Sequence, residues 1–131
     1  MIRVLANPDS YAGKAYSNAK GNTECVEFVK QTLAAPVTAL WREGLKVKKL
    51  NVGERDPLSR GTAIATFVDG KYPQTGITGM HAAIYLGQNA DGIQVLDQWR
   101  SQGKVLARTI PWKPRRPGLS NSASTFSAIE W

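Results

Sequence analysis

With 131 residues, 42% of them hydrophobic, the chain is long enough for one globular domain with a core (residues 1–131) and too short for a second folded module. Seventeen Lys and Arg against ten Asp and Glu give a formal charge of +7, which favours nucleic acid, acidic lipid or acidic cell wall as partners without choosing among them. The single cysteine excludes an intramolecular disulfide and a Cys-rich zinc site, so no metal or cofactor is expected. No apolar run is long enough to cross a bilayer, and the N-terminus lacks the charged start and apolar stretch of a signal peptide.

Residues 1–22 mix short apolar pieces with Asn, Asp, Ser and Gly, including Asn7-Pro8-Asp9-Ser10, and are expected to be mostly loop, covering one edge of a site. From Thr23 the pattern turns helical, because Val26, Val29 and Leu33 recur at spacings of three and four, with Asn22 or Thr23 as N-cap. Pro36 to Glu43 predicts a second short helix with Val37, Leu40 and Trp41 on one face and Gly44 closing it. Lys46 to Leu50 is a basic connector or short edge strand, and Asn51 to Arg60 a surface loop. Strand composition follows in Thr62–Val68, His81–Leu86, Ile93–Trp99 and Val105–Ile110, with Asp69-Gly70, Gly87–Asp91 and Ser101–Gly103 between them. Pro111–Pro117 should be extended and exposed, and Phe126–Trp131 returns as a last edge strand. Helices first and antiparallel sheet afterwards define an α+β fold.

The lone Cys25 falls in the first turn of the first helix, where unpaired backbone N–H groups and the positive end of the dipole stabilise a thiolate. The same N–H groups suit the oxyanion of a tetrahedral intermediate. The lone His81 opens a strand after Gly76-Ile77-Thr78-Gly79-Met80, positioned to point from a rigid sheet toward a helix terminus and take a thiol proton. If Gly87 and Asp91 close a hairpin opposite each other, Asp97 lies directly across from His81 and can orient the imidazole. Slipping the register by one residue puts Gln98 there instead.

The helix start Asn22-Thr23-Glu24-Cys25-Val26-Glu27-Phe28-Val29 and the strand Gly79-Met80-His81-Ala82-Ala83-Ile84-Tyr85-Leu86-Gly87 resemble the papain-like cell-wall peptidases of the NlpC and CHAP type. Together with Thr62–Phe67 and Val95-Leu96-Asp97-Gln98-Trp99 they look like the small amidase-like proteins of Gram-negative bacteria, which include effectors delivered by type VI secretion. The resemblance spans roughly residues 22–99. It implies a papain-like fold and hydrolysis of peptidoglycan amides, with Cys25 as nucleophile, His81 as base and acid, and Asp97 as orienting residue. By resemblance the scissile bond joins D-glutamate to diaminopimelate, and Asn22 is the nearest amide side chain for the oxyanion hole.

The partners so implied are peptidoglycan, a cognate immunity protein and the secretion machinery. A chain without a signal peptide, made in the bacterial cytoplasm, would reach the periplasm of a target cell by contact-dependent delivery. Three alternatives stay open: a housekeeping hydrolase or acyltransferase of the same superfold, an inactive scaffold, and a nucleic-acid-binding module that stacks bases on Trp41, Trp112 and Tyr72.

Overall fold

A computed structural model describes residues 1–76 and 78–131; Ile77, in the Gly-rich stretch before His81, lies outside the described residues. Six strands form one antiparallel sheet: β1 (Arg42–Lys46), β2 (Ala63–Thr66), β3 (Ala82–Gln88), β4 (Gly92–Asp97), β5 (Leu106–Pro111) and β6 (Phe126–Glu130). Their spatial order is β1-β6-β2-β3-β4-β5. The helix α1 (Cys25–Leu33) packs against β3. One helix on an antiparallel sheet is the α+β arrangement anticipated above.

The pleat divides the core into two faces. Under α1, Phe28 and Val29 meet Ala63, Ala65, Ala82, Ile84 and Leu96; the alanines keep the sheet surface low enough for the helix to approach. The opposite face carries Ile64, Ala83, Tyr85, Ile93, Val95, Ile110 and Phe126, covered by Val47, Leu58 and Ala123 from connecting segments. All of β2 is buried, as expected of a strand with neighbours on both edges and cover on both faces.

Three elements differ from the sequence expectation. The stretch 36–43 is a 3-10 turn, Thr38–Leu40, running directly into β1. Val37 and Leu40 are exposed and find no core, while Trp41 is fully buried on its own account, its indole N–H donating to the Pro36 carbonyl at 3.1 Å. Gly44, expected to end a helix, instead lies within β1, where a Cβ would press on Glu130 and the Ala128 carbonyl of β6. Strand β6 is not an edge: it sits between β1 and β2, pairing Arg42 with Glu130 on one side and Ile64 with Ala128 on the other. Four consecutive buried residues, Phe126 to Ile129, show it to be covered on both faces.

The β3–β4 hairpin pairs Ile84 with Leu96 and Tyr85 with Val95, and slips by one residue before Gly87 pairs with Gln94. Carried one step beyond Ile84–Leu96, this register sets Asp97 opposite Ala83, two residues from the expected position. A shift of two preserves the face, so Asp97 remains on the His81 side as a diagonal neighbour.

Gly92 marks a close backbone approach between β4 and β5, because a Cβ there would collide with the Ile110 carbonyl. Gly92→Ala should lower stability by about 1–3 kcal/mol, the usual cost of overpacking, as read from the urea midpoint. An unchanged midpoint would show that the two strands spread without cost.

Candidate active site

Cys25 is the first residue of α1 and is half-buried. The N-cap is Glu24, one residue later than expected, and it supplies no side-chain cap: its carboxylate pairs with Arg100 at 2.6 Å and its carbonyl accepts from Gln98 at 2.8 Å. The first-turn amides are thus left without a side-chain acceptor, which favours negative charge at the thiol.

His81 is held by β2. Its backbone N–H donates to Thr66 Oγ1 at 3.0 Å, and the Thr66 N–H returns a bond to the His81 carbonyl at 3.0 Å. The edges of Trp99 and Phe126 flank the ring at centroid distances of 6.3 and 6.4 Å. Nε2 faces Asp97 Oδ2 at 2.6 Å, which leaves Nδ1 for the cysteine. Asp97 is fully buried, and the same Oδ2 accepts a second bond, from Arg108 Nε at 2.8 Å. Arg108 lies over the Trp99 ring, 5.2 Å from its centroid.

Of the two candidates left open on β4, Asp97 meets His81. Gln98 points to the other face, where it is also fully buried. Its Oε1 accepts from the Tyr16 N–H at 3.1 Å, and its Nε2 donates to the carbonyls of Tyr16 at 2.7 Å and Glu24 at 2.8 Å. The N-terminal segment is thereby drawn along the site as expected. Among the described residues Asn22 makes no hydrogen bond to the thiol, and its backbone closes a turn with Asn18.

Two neighbours of the site went unread in the sequence. Tyr72, from the loop after β2, places its hydroxyl 4.0 Å from Cys25 Sγ and packs edge-on against Trp41 at 5.1 Å. No local pattern flags a loop tyrosine of this kind. Arg108 was legible in principle, since it pairs with Val95 across β4–β5 and so falls diagonal to Asp97. Burial of Trp41 and Tyr72 also removes two of the three surfaces on which nucleic-acid bases were to stack.

These contacts set the charges. Burial opposes ionisation of Cys25, but the hydrogen bond and charge of His81, the Ala82 N–H and the Tyr72 hydroxyl together bring its pKa below the ordinary thiol value. Burial likewise disfavours a charged His81, yet the Asp97 hydrogen bond and then the adjacent Cys25 raise its pKa to about 9. Burial, reinforced by Cys25, pushes the Tyr72 hydroxyl well above its usual range, so it stays a proton donor. A thiol whose ionisation is favoured by an adjacent imidazolium is a nucleophile with a proton source in reach.

A cysteine at a helix start, facing a histidine and a carboxylate on adjacent antiparallel strands, is the papain-like arrangement. The chain belongs to the Dae2 family, domesticated amidase effector 2, whose model matches residues 2–129. It is similar to a type VI secretion amidase effector 2 protein of Salmonella typhi, 38% identical over 94 residues, covering 65% of this chain. The chain spans 66% of the length of that curated relative. In structure it is similar to type 6 secretion amidase effector 2 (Tae2), with a TM-score of 0.80 and 30% identity over 98% of this chain and 94% of that one.

Since the folded-state pKa of His81 lies above its ordinary value of 6.5, protonation of His81 favours the folded state. That contribution is complete below about pH 6.5 and is lost as the pH rises through about 9. Because Cys25, with its lowered pKa, releases a proton over the same range and offsets this, the effect is read without the thiol: the denaturation midpoint of Cys25→Ala should fall across this window and change much less in the Cys25→Ala, Asp97→Asn double variant, which lacks the charged acceptor. Parallel pH curves for the two proteins would contradict the assignment.

Proposed function

We propose that the chain is a cysteine-dependent peptidoglycan amidase, a single papain-like domain that cleaves stem peptides between D-glutamate and diaminopimelate. The observation that carries this reading is the contact of His81 with both a buried carboxylate and the thiol at the helix start, within an amidase effector family. Cys25 Sγ attacks the amide carbonyl, and the first-turn N–H groups receive the oxyanion. The carbon–nitrogen bond breaks as His81 gives its Nδ1 proton to the departing amine, leaving a thioester on Cys25. Water then attacks the thioester, its proton passing to His81, and the thiolate is regenerated. Asp97 holds the tautomer and balances the imidazolium charge throughout.

The Tyr72 hydroxyl keeps its proton and so supports the thiolate without competing as a base. Trp99, partly exposed beside His81, supplies an apolar wall for the substrate. Its relatives are type VI secretion amidase effectors; in this reading the protein is one too, and it meets peptidoglycan in the periplasm of a target cell. An immunity protein that occupies the Cys25 cleft would then protect the producer.

Purified wild type and Cys25→Ala, incubated with Gram-negative sacculi, provide the direct test. Mass spectrometry should show fragments cut between D-glutamate and diaminopimelate with the wild type only; equal release by both proteins would exclude Cys25 as nucleophile. Asp97→Asn should keep the fold and lose about two to four orders of magnitude in kcat. Wild-type kcat should also decline above about pH 9, as His81 loses the proton the leaving amine needs. A rate still rising at pH 10 would contradict His81 as the acid.

A further inference from the structure

At the far end of the β3–β4 hairpin from His81 and Asp97 lies a groove of about 1000 Å³, lined by Lys49, Lys113, Arg115, Arg116 and Trp112 among others. Five residue steps of β4 at about 3.3 Å each separate Gly92 from Asp97, so roughly 16 Å of strand lies between groove and catalytic cluster. The groove is therefore not part of the cleft at Cys25.

Its charge is unspent. Lys30, Lys46, Arg60, Arg100 and Arg108 each meet a carboxylate within 4.0 Å, whereas among the described residues the four groove cations form no ion pair. One acidic residue, Asp91, shares the lining. The support is also rigid. Trp112 is pinned to the hairpin turn by its backbone N–H to the Asp91 carbonyl at 3.1 Å and by its indole N–H to the Asn89 carbonyl at 2.9 Å. Pro111, Pro114 and Pro117 stiffen the segment that carries Lys113, Arg115 and Arg116. Cations carried on a restrained backbone beside an aromatic plane suit a chain bearing repeated carboxylates next to sugar or peptide carbon.

We propose that this groove is a second attachment site for the polymeric substrate, binding the free carboxylates of a stem peptide neighbouring the one held at Cys25. The proposal rests on the peptidoglycan reading above. A sacculus is a repetitive polyanion, so two sites on one enzyme convert the second contact into an intramolecular event and raise avidity without improving either site alone. The groove should then matter for intact sacculi and not for a single soluble stem peptide, which cannot bridge the two sites.

Sedimentation with purified Gram-negative sacculi tests binding without turnover. Cys25→Ala should pellet with sacculi, and adding Lys113→Glu, Arg115→Glu and Arg116→Glu should cut retention at least fivefold at low salt, with the parent's retention falling as salt rises. On the wild-type background the same triple change should slow sacculus hydrolysis at least fivefold and leave cleavage of a soluble stem tetrapeptide within twofold, which also reports correct folding. Should the charge-reversed protein not fold, the Lys113→Gln, Arg115→Gln, Arg116→Gln variant replaces it, with the same direction expected. Unchanged retention on sacculi overturns the proposal, as does groove-dependent retention on DNA-cellulose without groove-dependent retention on sacculi, which would make the groove a nucleic-acid site. If the wild type leaves the soluble peptide uncut, the assignment of the cut to the D-glutamate–diaminopimelate bond fails, and sedimentation of Cys25→Ala still decides the groove.

Discussion

The site depends on one oxygen. Asp97 Oδ2 accepts from His81, immediately before β3, and from Arg108 on β5, while Asp97 itself ends the strand between them. An ionised carboxylate with no solvent contact costs several kcal/mol unless it is paired and hydrogen-bonded, and here both partners arrive through sheet pairing. The three-strand register therefore brings both donors to one oxygen, and the hydrogen bond so formed is the largest cause that raises the His81 pKa. Arg108 is shielded on one side by the Trp99 ring, so the pair is held in a drier setting than a surface ion pair would be.

The pleat of β4 extends this control to the nucleophile. Asp97 projects to one face and orients His81; the next residue, Gln98, projects to the other and bonds the Glu24 carbonyl at the start of α1. Trp99 and Arg100 continue the join, the first accepting from Thr23 Oγ1 at 3.1 Å and the second pairing with Glu24. Four consecutive residues thus fix the base and the helix that carries the thiol. Misplacement of reacting groups by 1 Å can cost orders of magnitude in rate, which gives a physical reason for so dense a connection. The buried Gln98 amide carries most of it, because the Arg100–Glu24 pair is largely exposed and such pairs contribute little.

Much of this was legible in the sequence. The α1 stripe of Val26, Val29 and Leu33, the four strand segments from Thr62 to Ile110 and the placement of Cys25 at a helix start follow from periodicity and from the helix terminus as an anion site. The misreadings share one cause, since local pattern does not report tertiary partners. Val37, Leu40 and Trp41 have helical spacing, but only Trp41 finds a core and the chain after it is captured by β6. Phe126 to Ile129 carries the continuous apolar and small composition of a central strand, yet its place near the end of the sequence suggested an edge. Asp97 was located through a register wrong by two, which an even shift forgave. Tyr72 reaches Cys25 across a loop whose course no spacing rule encodes.

The position of β6 bears on the order in which the molecule can assemble. It pairs with β1 and β2 at once, joining segments far apart in the chain, and Phe126 stands edge-on to the His81 ring. Such distant pairings form slowly because loop closure precedes any gain from contact. Without residues 126–130, β1 keeps only its bridge from Arg42 to Lys71 and the imidazole lacks one of its walls. The cysteine, histidine and aspartate are thus fully housed only after translation of this segment is complete, a delay written into strand order.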